Sequence, residues 1–203
     1  MNIGIIGAGN IGETAAKLFI DAGHDVAISN SRGPETLTEV IQKLGSHARA
    51  VTTEDAAKFG QVVLEAIPYG LYKSLPAEAL AGKILISASN YYPQRDGTLD
   101  LGRRAQTELL AHHVPQARVV KAFNTIYWEH LRDQGDTSKL TEARRVIFLS
   151  GDDEVAKTTV AALIEELGFG PLELGSLRES KRQEPGSAVY NKDMTVREAR
   201  AFV

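Results

Sequence analysis

Asn2-Ile3-Gly4-Ile5-Ile6-Gly7-Ala8-Gly9-Asn10-Ile11-Gly12 is a short apolar strand running into three spaced glycines, and an apolar-periodic helix follows. Spaced glycines alone carry little weight. At a strand-to-helix junction they acquire a specific use, because a dinucleotide pyrophosphate needs backbone there and no side chains. Gly7 permits the tight turn, Gly9 leaves room for the phosphates, and Gly12 lets the helix lie close to the strand. The helix N-terminus adds unpaired N–H donors and the positive end of its dipole. A plain glycine-rich turn is the competing reading, and the strand–turn–helix context weighs against it.

The end of the second strand selects the dinucleotide. After the first helix Gly23 makes the turn, and residues 24–28 read as strand. An NAD site places an acid about 20 residues past the glycines, on the ribose hydroxyls. This chain has Asn30-Ser31-Arg32 there instead. A carboxylate would repel the 2′-phosphate of NADP, whereas a hydroxyl and a guanidinium bind it, Arg in a forked geometry. Gly33-Pro34 then opens another helix, with Pro at a favoured first position. NADP(H) is therefore the expected cofactor, and a merely solvated Arg32 is the alternative.

Strand and helix alternate through the chain. Further strands are expected at residues 50–52, 61–67, 83–88, 118–123 and 144–150, with 172–174 as a short edge strand. Helices are expected near 70–80, 107–113 and 154–167, and 89–97 reads as a long loop. The sum is a doubly wound α/β fold with a mostly parallel sheet, the Rossmann type, over residues 1–178. Residues 179–203 read as a C-terminal extension, a subunit contact or partly disordered, and the stretch 180–186 reads as too polar to bury. No separate helical substrate domain of ~100 residues follows, so the substrate binds on the cofactor domain or between two copies of it, which points to a homodimer.

Ligands of such sheets bind beyond the carboxyl ends of the strands. Gly7, Ala8, Gly9, Asn10, Ile11 and Gly12, then Asn30, Ser31 and Arg32, then Ile67, Pro68 and Ala122 are the expected cofactor residues. Asn90, Phe123, Asn124 and Tyr69 are expected to form the pocket for a second substrate, with Asn90 as a turn cap and Phe123 as core the alternatives. No histidine falls at a strand's carboxyl end. His130 has no evident carboxylate partner, and all five histidines read as structural or solvated. Lys121, inside the sixth strand, is a candidate general acid or else an amphipathic lysine at a sheet edge. No acid–base residue and no metal ligand set is assigned.

The 203 residues carry 23 basic and 26 acidic side chains and no cysteine. That composition excludes disulfides and thiolate metal sites and fits a reducing compartment. It offers no basic stripe for nucleic acid, and no apolar run near the ~20 residues that span a bilayer. The N-terminal stretch, broken by glycines, does not read as a signal peptide. The expectation is a cytoplasmic enzyme acting on a small redox molecule.

The motifs as a set resemble the NADP oxidoreductase family that depends on the deazaflavin coenzyme F-420, and are similar to the cytosolic domain of the STEAP metalloreductases. They are Ile6-Gly7-Ala8-Gly9-Asn10-Ile11-Gly12, Ala22-Gly23-His24, Asn30-Ser31-Arg32-Gly33-Pro34, Ala66-Ile67-Pro68-Tyr69, Asn90-Tyr91-Tyr92-Pro93, Val120-Lys121-Ala122-Phe123-Asn124-Thr125 and Gly151-Asp152-Asp153. The resemblance implies hydride transfer between NADPH and a flavin-like ring, either coenzyme F-420 or a flavin such as FMN or FAD. Such a transfer asks for stacking and water exclusion more than for an acid or base. An NADP(H)-binding sensor without turnover, and an NADPH-linked reductase of a quinone or ferric chelate, are the alternatives.

Overall fold

A computed structural model describes residues 1–203. Eight strands form one sheet: β1 (Asn2–Ile6), β2 (Asp25–Ser29), β3 (Ala48–Ala50), β4 (Val62–Glu65), β5 (Ile84–Ser87), β6 (Arg118–Ala122), β7 (Val146–Gly151) and β8 (Gly170–Glu173). Their order is β3-β2-β1-β4-β5-β6-β7-β8. Every neighbouring pair is parallel except β6 and β7. The order reverses between β1 and β4, which opens the crevice at the carboxyl ends of those two strands. The doubly wound, mostly parallel sheet thus matches the sequence reading. The core strands are apolar on both faces because both are covered.

One face is packed by α1 (Asn10–Asp21), α2 (Thr38–Leu44), α6 (Trp128–Asp133) and α7 (Glu154–Glu166). The opposite face is covered by α3 (Thr53–Phe59), a 3-10 turn over Tyr69–Ser74 and α5 (Gln106–His113). Between these last two lies α4 (Pro93–Asp96), a single turn inside the stretch expected to be loop. The helix expected near 70–80 is shorter because Pro76 cannot continue it and Gly70 weakens it. The third strand falls at 48–50, two residues ahead of its expected place.

The C-terminal segment departs furthest from expectation. A 3-10 turn over Arg178–Gln183 lies against the end of β7, and α8 (Val196–Ala199) packs on the β7–β8 edge. Ser180 and Gln183 are 0 % exposed, so the stretch judged too polar to bury is partly interior. Gln183 buries because both ends of its amide find a partner, which removes the desolvation penalty, whereas the buried Ser180 hydroxyl has none. Val189, Val196 and Ala199 join Phe148 and Leu172 in an apolar cluster. Arg145 reaches across to the carbonyls of Lys192 and Met194 and pairs with Asp193 at 3.0 Å. The segment is seated on its own domain, which takes away one of the two reasons for expecting a partner subunit. No helix is long and apolar enough to cross a membrane.

Candidate functional site

The glycine turn has the geometry its sequence implied. Gly7 has φ +111°, where an L side chain is strained, and a Cβ there would lie 2.6 Å from the Ala66 carbonyl oxygen. A Cβ on Gly12 would lie 1.8 Å from the Gly7 carbonyl oxygen, so this glycine sets the approach of α1 to the turn. A Cβ on Gly9 would meet nothing within 4 Å. Gly9 therefore faces open space, and no side chain caps the first turn of α1. Open space over uncapped N–H donors is what a phosphate needs.

Beside this turn, Gly7 N–H donates to the Ser29 carbonyl, which holds the ends of β1 and β2 together. The Asn30 side chain accepts from the N–H groups of Arg32 and Gly33 at 2.9 and 3.0 Å. That closes a tight Asx-type turn. Ser31 and Arg32 are exposed, and the Arg32 guanidinium has no partner in the chain. The Glu35 carboxylate folds back over Gly33, close enough to crowd a Cβ there at 2.4 Å. An unpaired guanidinium on a rigid loop next to a phosphate cradle fits a ribose 2′-phosphate.

A cleft of about 670 Å³ runs from the glycine turn across the carboxyl ends of β4, β5 and β6, and Asn30, Ser31 and Arg32 lie outside its lining. Gly9, Asn10, Ile11, Ile67, Pro68, Asn90, Phe123 and Asn124 line it. Ala8 is half-buried next to it, Ala122 is interior to β6 and Gly12 lies inside the helix, so these support the cleft without facing it. Tyr69 is not at the cleft. It is 0 % exposed in the core, stacks on Tyr72 and donates its hydroxyl to the Gln106 carbonyl at 2.5 Å. The turn after Pro68 carries its ring under the sheet rather than out over it. No histidine lines the cleft. His130, expected to lack a carboxylate partner, sits 3.0 Å from Asp193 of the C-terminal segment.

Asn90 is held from every side. Its Nδ2 donates to the Asn124 carbonyl at 2.8 Å, and its Oδ1 accepts from Asn124 Nδ2 at 2.9 Å. Asn124 in turn donates to the Gln183 carbonyl at 2.7 Å and accepts from Gln183 Nε2 at 2.8 Å. Phe123, at φ +63°, is the unusual link between β6 and Asn124. A non-glycine residue in that region is strained and is kept there by its surroundings. Here the surroundings are the aromatic contact to Phe19 and the anchored Asn124.

Sequence reasoning did not assign the aromatic walls. Tyr92, Tyr127, Trp128 and Tyr190 line the cleft, and Arg95 lies over the Tyr92 ring. Tyr190 comes from the C-terminal segment, and its hydroxyl bonds to that of Tyr92. Arg95 donates to Asp96 at 2.8 Å, which holds that carboxyl below its ordinary range and raises the guanidinium. Burial pushes the Tyr190 phenol up, so it stays a neutral hydroxyl.

Beneath the floor runs a polar row that was also not foreseen. Glu65, Ser87, Lys121 and Ser150 are register neighbours on β4, β5, β6 and β7, and all are 0 % exposed. Lys121 is therefore in the sheet interior, not at an edge. Its Nζ donates to the Ser89 carbonyl. Glu65 Oε1 accepts from the hydroxyls of Ser87 at 2.6 Å and Ser89 at 2.7 Å. Burial pushes the Glu65 carboxyl up, against the pull of those hydroxyls and of Lys121. Burial likewise pulls the Lys121 ammonium down to about 8. The one signal available was an acid and a lysine each placed inside an otherwise apolar strand.

The chain resembles known proteins along most of its length. Residues 2–91 match the family described as NADP oxidoreductase, coenzyme F420-dependent. The solved structure of hypothetical protein SMa0349 from Sinorhizobium meliloti is 36% identical, with a TM-score of 0.85 over 96% of this chain and 95% of that one. A candidate F420-dependent NADP-reductase from Arthrobacter is 28% identical, with a TM-score of 0.77 over 89% and 87%. The metalloreductase STEAP3 of Rattus norvegicus is 32% identical over 184 residues, which is 90% of this chain and 35% of the relative. The chain thus spans about a third of the length of the curated relatives it matches.

Proposed function

We propose that the chain, whose residues 2–91 match the family described as NADP oxidoreductase, coenzyme F420-dependent, moves a hydride between NADP(H) and a planar, flavin-like acceptor. The observation that carries this reading is the continuity of the cleft. One end is a phosphate cradle over Gly9; the other is walled by Tyr92, Tyr127, Trp128 and Tyr190. Gly7 to Gly12 would hold the pyrophosphate, and Asn30, Ser31 and Arg32 the 2′-phosphate. Ile67 and Pro68 would flank the nicotinamide ribose. When bound, the nicotinamide supplies the hydride.

What the protein adds is placement. Aromatic walls favour a flat ring by stacking, and a rigid scaffold of Asn90, Asn124 and Gln183 keeps the cleft in one shape. Holding two rings at reacting distance removes most of the entropic barrier without an acid or base. The acceptor fitting these walls is a deazaflavin of the coenzyme F-420 type, or FMN or FAD. We further propose that residues 179–203 are part of the same functional unit as residues 1–178, because Gln183 and Tyr190 build the acceptor end.

The test is to mix the protein with NADPH and, separately, coenzyme F-420, FMN and a ferric chelate, and to follow loss of reduced nicotinamide. Turnover with either ring acceptor and little with the chelate is the expected result. Turnover confined to the chelate would replace the acceptor assignment, and tight NADPH binding with no turnover anywhere would make the protein a sensor.

A further inference from the structure

Glu65 and Lys121 stand one strand apart, with Ser87 between them in the register. Both touch one residue of the cleft floor: the Ser89 hydroxyl donates to Glu65, and the Ser89 carbonyl accepts from Lys121. Ala66 and Ile67, the residues directly after Glu65, also line the floor. A pair of opposite charges sealed in the sheet, a single residue below the cleft, is costly to keep. Neutral polar side chains in place of Glu65 and Lys121 could fill the same row without that cost. The fold of the glycine turn does not need the pair, since the phosphate cradle lies on β1 and α1.

We propose that the Glu65–Lys121 pair sets the electrostatic preference of the cleft between the oxidised and reduced forms of the nicotinamide ring. This rests on reading the cleft as the nicotinamide site. The oxidised ring carries a positive charge that the reduced ring lacks. With a carboxylate and an ammonium the pair is neutral and favours neither form. When Lys121 gives up its proton, the Glu65 carboxylate is uncompensated, and the cationic, oxidised ring is held more tightly. Lys121 and Glu65 are positioning residues in this scheme, acting through the field and through Ser89 rather than by touching the ring.

The groups around the pair leave it as the part of the floor whose charge changes. Lys121 faces Glu65 from β4 and Glu184 from the C-terminal segment. Glu65 faces Lys121, the two serine hydroxyls and the Ile67 N–H, and beyond them the Tyr69 phenol on the 3-10 turn. Burial raises that phenol, so it stays neutral well past the Lys121 transition. On the cleft side Arg95 and Asp96 form an ion pair with no net charge. Glu65 accepts from the two serine hydroxyls and the Ile67 N–H and donates to nothing, as a carboxylate does, so loss of the Lys121 proton at about 8 takes the pair from neutral to singly negative.

Dissociation constants of NADP+ and NADPH, measured by calorimetry from about pH 7 to about pH 9, test this directly. Their ratio cancels the ionisation of the 2′-phosphate, which both nucleotides share. In the unaltered protein the ratio of the NADP+ to the NADPH constant should fall about tenfold across that range, the size expected for one unit charge at this depth. In Glu65→Gln no carboxylate remains once Lys121 has lost its proton, so the ratio at about pH 9 should be higher than in the unaltered protein. A flat ratio in the unaltered protein, with both nucleotides binding, would overturn the inference and leave the cofactor site standing. Failure of either nucleotide to bind would overturn the cofactor site and the inference together. The unaltered protein alone decides the matter should Glu65→Gln fail to fold.

Discussion

Two alanines in the glycine turn separate cofactor binding from folding. At Gly9 the backbone sits at φ −93° and ψ −173°, which alanine adopts freely, and its Cβ would meet nothing within 4 Å. Alanine is the poorer helix cap by about 0.5–1 kcal/mol. It also restricts the unfolded chain, which restores about 0.4–1 kcal/mol. Gly9→Ala should therefore leave the melting temperature nearly unchanged. Its methyl, however, projects into the space assigned to the pyrophosphate. Overpacking of that kind costs about 1–3 kcal/mol, which is roughly 5- to 150-fold in Kd.

At Gly12 the order inverts. Its Cβ would lie 1.8 Å from the Gly7 carbonyl oxygen, so α1 must move outward by more than 1 Å to relieve the overlap. Better helix propensity returns about 1 kcal/mol. It cannot offset a shift that also loosens the packing of Ala15, Ala16 and Phe19 on the core. Gly12→Ala should melt several degrees lower, taking about 2–4 °C per kcal/mol for a chain of this size. NADPH titration by calorimetry and thermal melts on both variants are the assays. Unchanged NADPH affinity in Gly9→Ala, at unchanged stability, would refute the placement of the pyrophosphate.

Arg32→Ala removes a charge-assisted hydrogen bond and should weaken NADPH binding by about 1–3 kcal/mol while leaving NADH nearly unaffected. Equal losses for both nucleotides would take Arg32 away from the 2′-phosphate. Glu35→Gln, which removes the carboxylate over Gly33, should tighten NADPH but not NADH in the same titration. Gln183→Leu leaves the Ser150 hydroxyl and the Asn124 side-chain oxygen without their buried partner and should cost about 2–4 kcal/mol by chemical denaturation; a loss below ~1 kcal/mol would show that the network closes without it. Lys121 holds its proton to about 8 in the fold but to 10.5 when unfolded. Between those values the unfolded state binds more protons, so this term raises stability as pH rises. Denaturation at the two ends of that window should show the protein gaining stability relative to Lys121→Met, and a loss would contradict the burial of an ammonium there.

The glycine turn was legible because its requirements are backbone requirements. Gly7, Gly9 and Gly12 each answer a local steric demand, and local demands leave local patterns. The other end of the cleft was less so. Asn90 and Asn124 could be placed from strand order, but Gln183, which anchors Asn124, lies far along the chain. Tyr69 was misplaced because strand position tells where the backbone emerges, not which side of the sheet a ring turns to. Lys121 looked like an edge residue because nothing in the local sequence says that an antiparallel strand, β7, closes over its far side. The polar look of 180–186 hid the burial of Gln183, since an amide is buried or solvated according to partners that composition does not reveal.

Because Gln183 and Tyr190 leave the ribosome after β8, the two ends of the cleft mature at different times. A nascent chain that has emerged as far as β8 already carries the glycine turn and Tyr92, Tyr127 and Trp128, yet Tyr190 and the Gln183 that anchors Asn124 are missing. Nucleotide bound to such an intermediate would brace the sheet while residues 179–203 dock. Refolding followed by fluorescence of Trp128, with and without NADPH, would reveal this order, and simultaneous arrival of both halves would contradict it.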